Sequence, residues 1–395
     1  MNIIWNLVLG IWNLLFFIIM FLTIITFIIV LSILVFVHEL GHYYVARRFG
    51  IKPEEFGFGF PPRVWGIYRS KEGGWKTTRG KKEVTDAADT IYSVNWLPLG
   101  GFVKLGEDDL KFADDPNHFN NKPIWQRAVI LLAGVTMNVV LAAVLISFGF
   151  MVGLPQATEG LRPSAKISQE KIQVVDILPD SPAKEAGLKR GDVILEINNN
   201  KFIKSEDLQK FVDDHTNEEL VYKIKSGGET IEKRITPRKI EETQMGGIGI
   251  GIVESGIVRY PIHIAIWEGL MTTVLLTWVI LVAFYDLIKG LILGQGISID
   301  IGGPVKIAQI TGDAVRMGFA YLINFAALLS INLAIINAFP FPALDGGRLL
   351  FLIIEKIKGS PVKKEVEAVF HNIGFALLML LILLITYKDI ARIWQ

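Results

Sequence analysis

The chain has no cysteine. Disulfides and thiolate metal sites are excluded, so any bound metal must be held by histidine or carboxylate side chains. Charge is scarce too: 20% of the 395 residues are charged, against about 25% in soluble globular domains. There is no basic excess either. With 40 Lys and Arg against 39 Asp and Glu, nothing is set to meet phosphates, and nucleic acid is excluded as a partner. What is abundant is long apolar sequence. Residues 2–37 carry no charged side chain, and about 20 apolar residues already cross a bilayer. A soluble enzyme and a disordered chain are both ruled out. The first run is too long for a signal peptide and lacks a basic leader and a small-residue cleavage site. It reads as a retained membrane segment.

Five apolar stretches stand out, at roughly 3–37, 124–153, 262–293, 318–344 and 370–387. They divide the chain into a membrane region over 1–153, a polar region over 155–260 and a second membrane region over 261–395. The polar region alternates like strands around Ile172–Leu178 and turns at Leu188–Asp192. It is the size of one small soluble domain. No internal repeat is present.

Orientation follows from Lys and Arg near the segment ends. Arg47, Arg48, Lys52, Arg63, Lys122 and Arg127 place the loop after the first segment in the cytoplasm. Arg348, Lys356, Lys358, Lys363 and Lys364 do the same for the loop after the fourth, so the polar region lies outside. The chain must then cross an odd number of times between that region and residue 348, yet two apolar stretches intervene. The stretch 262–293, which carries Glu268, Asp286 and Lys289, is expected to lie in the interface rather than span. Lys388 and Arg392 at the proposed outer end of the last segment run against this scheme. Residues 3–37 would form a helix of roughly 50 Å, longer than a ~30 Å core requires. The first dozen residues, with Trp5, Asn6, Trp12 and Asn13, are expected at the outer interface, leaving about four transmembrane helices.

His38-Glu-Leu-Gly-His42 ends the first apolar run. On a helix, positions i and i+4 share a face, so both imidazoles can reach one zinc ion with Glu39 beside it. Zinc lowers the pKa of a bound water towards ~7, and a neighbouring carboxylate can take its proton. An alternative is that these residues merely anchor the helix end. Depth opposes it: His38 lies about ten residues, ~14 Å, inside the level marked by Arg47 and Arg48, where ionisable groups are costly and functional by default.

A third ligand must come from elsewhere, and the candidates within the hydrophobic stretches are Asp286, Asp300 and Asp345. Asp345 follows Asn337-Ala-Phe-Pro-Phe-Pro-Ala-Leu. Pro340 and Pro342 break the helix, and Gly346-Gly347 permits close approach. Irregular backbone at membrane depth is tolerated only against protein or a wet cavity. A simple proline stop would explain the prolines and glycines, but not Asn337 and Asp345 together, and Asp345 is the favoured ligand.

Taken together, His38-Glu39-x-x-His42 and the later Asn337-x-x-Pro340-x-x-x-x-Asp345-Gly346-Gly347 resemble the site-2 protease family, intramembrane zinc metalloproteases of the bacterial RseP type. The likeness extends through Tyr92–Lys104, the polar region and Gly302–Val305. It implies that His38, His42 and Asp345 hold Zn2+, that Glu39 activates water, and that Asn337 and Pro340 help bind substrate. In the family, the loop matching Tyr92–Lys104 re-enters the membrane as a hairpin and offers a strand edge to substrate, here Gly100, Gly101 and Phe102. Glu54–Pro62 would be a companion hairpin near the mouth. Without the resemblance, an ordinary amphipathic hairpin accounts for Tyr92–Lys104 equally well.

Residues of about 172–238 resemble a bacterial PDZ domain, through Ser181-Pro-Ala-Lys-Glu-Ala-Gly-Leu188 and the turn into Val193–Ile197. Relatives often carry two such domains, and there is room here for one. PDZ domains bind peptide ends by strand addition, while a spacer without ligand remains open. Gly246–Gly251 lacks dinucleotide spacing and reads as strand or linker. His118, His215, His263 and His371 are isolated and read as surface or interface residues, and Asn138 as an interhelical hydrogen-bonding residue.

The expected fold is thus a polytopic α-helical membrane protein with membrane-associated β-hairpins and an inserted extracytoplasmic PDZ domain of α+β type. It would sit in the inner (cytoplasmic) membrane with the PDZ domain on the periplasmic or outer side. By resemblance, its partners are single-span transmembrane substrates such as anti-sigma factors or remnant signal peptides, with peptide C-termini at the PDZ domain. A silent PDZ-bearing scaffold and a metal transporter or sensor are the alternatives; neither needs Glu39.

Overall fold

The computed structural model describes residues 2–80, 82, 84–106, 117–240, 245–294 and 302–393. Asp300 and the side chains of residues 2–17, on which the interfacial reading of Trp5, Asn6, Trp12 and Asn13 depends, lie outside the described residues. The chain forms two compact units, Met1–Ser147 with Gly269–Gln395, and Phe148–Glu268.

In the first unit, α1 (Asn2–Arg48) leads into three strands, β1 (Glu55–Arg69), β2 (Trp75–Thr78) and β3 (Ile91–Lys104), ordered β2-β1-β3. The final residues of β3 pair antiparallel with the start of β1, with Phe102 opposite Gly57 and Gly101 opposite Phe58. Phe58, Phe60, Trp65, Val94, Trp96 and Leu97 are exposed, the reverse of what a water-facing sheet requires. Next comes α2 (Ile124–Val152), which passes into the second unit.

The second unit holds β4 (Leu154–Ala157), β5 (Lys166–Ile177), α3 (Pro182–Glu185), β6 (Val193–Ile197), α4 (Ser205–Asp214), β7 (Leu220–Ser226), β8 (Glu229–Ile235), β9 (Arg238–Lys239), β10 (Gly246–Gly247) and β11 (Ile250–Arg259). Six of the strands form one sheet in the order β4-β11-β5-β6-β7-β8. Its core is a conventional apolar one, with Ile172, Val174, Ile197, Leu220, Tyr222 and Ile224 all but sealed from solvent. The Gly246–Gly251 stretch contributes β10 and the start of β11, so the sheet is completed well beyond residue 238.

The first unit resumes with α5 (Ile262–Ile292), α6 (Pro304–Met317), α7 (Phe319–Ala338), α8 (Asp345–Lys358) and α9 (Lys364–Ile393). Among the described residues, five helices are long and apolar enough to cross a membrane: Met20–Arg48 within α1, α2, α5, α7 and Lys364–Arg392 within α9. One of these is α5, the stretch expected to lie in the interface. Its exposed Trp267, Leu270, Met271, Val274, Leu275 and Trp278 follow one another at spacings of three, one, three, one and three residues, and Ile266, Val279, Leu281, Val282 and Tyr285 are exposed as well. Apolar residues therefore surround this helix, instead of forming the single stripe of a surface-lying one.

Candidate metal centre

The site is built where the last turns of α1 meet α2 and the loop between α7 and α8. His38 and His42 are both buried, one turn apart on one face of α1. Asp345 opens α8 after residues 339–344 leave the helical path at Pro340 and Pro342. Gly346 and Gly347 serve the close approach expected of them. A methyl group on Gly346 would meet the Phe339 carbonyl oxygen at 2.2 Å, and one on Gly347 would meet that of Phe341 at 2.3 Å. Only glycine lets the loop fold back over the start of α8.

Three ligand atoms converge as a result. Asp345 Oδ2 lies 2.9 Å from His38 Nε2 and 3.3 Å from His42 Nε2, and the two Nε2 atoms are 3.1 Å apart. Ligand atoms placed tetrahedrally around zinc at 2.0–2.1 Å stand about 3.3 Å from one another, so these spacings fit that ion. Two imidazole nitrogens and a carboxylate are also the donor set zinc prefers without cysteine. Among the described residues this is the one such group of His, Asp and Glu. Asp286, the other described candidate for third ligand, is exposed on α5 and outside the group.

Several neighbours were invisible in the sequence. Gly134 of α2 faces both rings: a methyl group there would lie 2.4 Å from His42 Nε2 and 2.7 Å from His38 Cε1. The Ile130 carbonyl accepts from His42 Nδ1 at 2.8 Å, which leaves Nε2 for a metal. Glu39, next to His38, accepts a hydrogen bond from the Val103 N–H at 3.1 Å. That bond brings β3 against α1, as do Gly100 and Gly101, whose absent side chains would strike Val35 at 2.5 Å and Phe36 at 3.1 Å. Gly100 has a φ of +119°, open only to glycine in practice. Phe102 lies between them and Val103 in this same segment.

Asn337 is half-buried in the last turn of α7, and its side chain makes no hydrogen bond to another described residue; Pro340 is exposed in the loop that follows. The remaining histidines are placed elsewhere. His118 is buried, not at the surface, and bonds to the Gly106 carbonyl; His215 bonds to the Phe211 carbonyl; His263 is exposed. His371 of α9 accepts from the Ala343 N–H at 2.9 Å and so supports the loop that delivers Asp345.

The second unit contains a cleft of about 340 Å³ lined by Leu208 and Val212 of α4, by Tyr222, and by Ile248, Ile250 and Ile252. The hydroxyl of Tyr222 is buried there without a hydrogen-bond partner among the described residues.

Comparison with known proteins agrees with this chemistry. The profile described as "Peptidase family M50" matches residues 26–79 and 81–381. The chain is 29% identical over 457 residues to "Regulator of sigma-W protease RasP" of Bacillus subtilis, covering 94% of this chain and 99% of that one. It is 29% identical over 453 residues to "Zinc metalloprotease RasP" of Geobacillus kaustophilus, covering 94% and 98%. The PDZ domain of an SdrC-like protein of Listeria monocytogenes is 25% identical over 22% of this chain and 92% of its own, with a TM-score of 0.21. A profile match over nearly all of the membrane helices, with its two histidines and aspartate drawn together as a zinc site requires, leaves one assignment: the chain belongs to peptidase family M50, the site-2 protease family of zinc metalloproteases.

Proposed function

We propose that this protein cleaves peptide bonds in the membrane-embedded part of single-span proteins, with His38, His42 and Asp345 as zinc ligands and Glu39 as general base. The observation that carries the proposal is the convergence of those three ligands beside Glu39 at the end of an apolar helix. Zinc would supply Lewis acidity to a water and to the scissile carbonyl. Glu39 takes a proton from the attacking water as the C–O bond forms and then passes it to the amide nitrogen, after which the C–N bond breaks and the amine leaves. Neither a scaffold nor a transporter has a use for that carboxylate.

A transmembrane helix shields its own peptide bonds, so it must unwind before attack, and the freed N–H and C=O groups need partners in a dry medium. The Gly100–Phe102 segment is suited to supply them. It pairs with β1 on one side and borders α1 and Glu39 on the other. A strand laid along it by β-addition would pass the catalytic carboxylate. Asn337, with its uncommitted amide, would hold the substrate backbone from the α7 side. The exposed aromatic and aliphatic residues of β1 and β3 support a hairpin sheet that enters lipid.

Connectivity supports four crossings with the PDZ unit outside. His42 of α1 bonds at Ile130 of α2, and His38, one turn earlier, faces Asn138, two turns later, so these helices run in opposite directions; α7 ends at the site like α1. Ser147, where α2 leaves this unit, lies 13 residues or about 20 Å beyond Gly134. There it packs on Gly269 near the start of α5. Gly312 of α6 packs on Thr23 of α1, about 22 Å from His38 on the same side. Both α5's start and α6 thus lie at one depth. A complete crossing by α5 would leave only residues 293–303 to bring the chain back to the level of α6, too few for a second spanning helix. We place α5 on the outer side as a non-crossing element despite its apolar circumference. The cleft of the second unit would receive an apolar peptide end and screen substrates, and the cell membrane would be the site of action.

The test is co-expression with tagged single-span reporters carrying short outer tails, the product being mapped by mass spectrometry. Cleavage inside the span by the wild type, and none by Glu39→Gln, is expected. Cleavage only in the tails, or equal cleavage by both, would overturn the proposal.

A further inference from the structure

We infer that Asn138 is a positioning residue for the metal centre: its carboxamide oxygen accepts the Nδ1 proton of His38 and so presents Nε2 to the metal. The inference rests on His38 being a ligand, as proposed above, and concerns what holds that ring in place.

An imidazole that binds metal through Nε2 carries its one proton on Nδ1, and this proton needs an acceptor if the tautomer and ring plane are to be held. The two histidines solve the problem differently. His42 uses a backbone carbonyl, that of Ile130 at 2.8 Å. For His38 the group opposite Nδ1 is the carboxamide of Asn138, with Nδ2 at 3.3 Å. Two N–H groups cannot bond to each other. Nitrogen and oxygen of a carboxamide have the same shape, so a half-turn of the side chain puts Oδ1 where the His38 proton points. The turn breaks no bond, because Asn138 Oδ1 is buried without a partner among the described residues.

Asn138 is 0% exposed, in the middle of a largely apolar helix. Burying a carboxamide in such a place is costly unless it is bonded, and a leucine would pack a membrane helix at no such cost. The backbone of the same residue acts separately, its carbonyl accepting from Ser330 Oγ of α7 at 2.8 Å. Helix docking thus runs through the Asn138 carbonyl and Ser330, and ring orientation through the Asn138 side chain. The two roles can be separated by mutation.

The test uses the purified full-length protein. Zinc affinity is measured by equilibrium competition with a chromophoric chelator, and cobalt(II) is substituted to record the visible absorption of the centre. Removing such an outer partner typically weakens metal binding by about 10- to 100-fold, and Asn138→Leu is expected to do so. Asn138→Ala, which adds no bulk, carries the same expectation should leucine disturb the helices. Asn138→Asp keeps an acceptor at Nδ1; it should match or exceed wild-type affinity and shift the cobalt bands. Ser330→Ala should keep wild-type zinc affinity. Wild-type affinity in both Asn138→Leu and Asn138→Ala would overturn the inference. So would a loss in Asn138→Asp as large as that in Asn138→Ala, or an equal loss in Ser330→Ala, since each would reduce Asn138 to packing.

Discussion

The two units of this protein are built on opposite principles. The second unit hides Ile172, Leu220 and Ile224 and turns its lysines and glutamates outward, the pattern of a water-soluble domain. The membrane unit exposes Val274, Trp278 and Leu383, while His38, His42, Asn138, Ser330 and Arg127 are buried. With lipid as the solvent, apolar burial contributes little to holding helices together, and the interior is free to be polar. The contrast teaches where to look for chemistry: a buried leucine in the second unit is packing, whereas a buried polar group in the first binds, orients or docks something. Even the ion pair of Arg127 with Glu355 at 2.5 Å docks something, tying the start of α2 to α8, the helix that Asp345 opens.

The sharpest way to break the contrast is Gly134→Ala. One methyl in the polar interior collides with both imidazoles, and misplacement of reacting groups by about 1 Å costs on the order of 100-fold in rate. Cleavage and zinc content should both collapse, while the second unit's melting is unchanged. In the second unit, Ile172→Ala should cost about 2–5 kcal/mol of that unit's stability by opening a cavity, yet leave zinc content intact. The matching deletion on a lipid-facing position, Val274→Ala, should fall within about 0.5 kcal/mol. Denaturation followed separately for the two units checks both.

Much of the site was legible because its chemistry sits in side chains with fixed spacing. His38 and His42 need only the helical repeat, and Asp345 is marked by the prolines and glycines around it. Gly134, the Ile130 carbonyl and the Val103 N–H were not legible. Their roles come from how α2 and β3 register against α1, which no local pattern encodes. For α5, composition alone could not decide between crossing and lying outside; the positions of Gly269 and Gly312 bear on it, and those are tertiary facts.

A smaller effect tests the Val103 bond. Val103→Pro removes the N–H that Glu39 uses, on the edge that faces away from β1. A hydrogen bond to a charged group contributes about 1.5–3 kcal/mol, so cleavage should fall by about tenfold or more with zinc content unchanged. An unchanged rate would show that Glu39 does not depend on β3 for its placement.

The smallest expected effect lies in the water-facing loop beyond β2. There Asp86 accepts from Lys76 Nζ at 2.8 Å, Tyr68 at 2.9 Å and Ser70 at 3.0 Å. The Lys76 bond first, then those of Tyr68 and Ser70, hold its carboxyl down at about 2 against partial desolvation. Because the folded value lies below the ordinary ~3.9, this contribution is complete above about pH 4 and is lost as the pH falls towards 2. Pepsin cleavage in this loop should rise over that window in the wild type, and Asp86→Asn should show a much weaker pH dependence.

The central claim is that the buried polar cluster is a working zinc centre with Glu39 as its base. It is tested most directly by purifying wild type and Glu39→Gln, measuring bound zinc in each, and assaying both against the same single-span reporter in proteoliposomes. The account predicts about one zinc per chain in both proteins and cleavage by the wild type alone. Cleavage by zinc-loaded Glu39→Gln at the wild-type rate would contradict it.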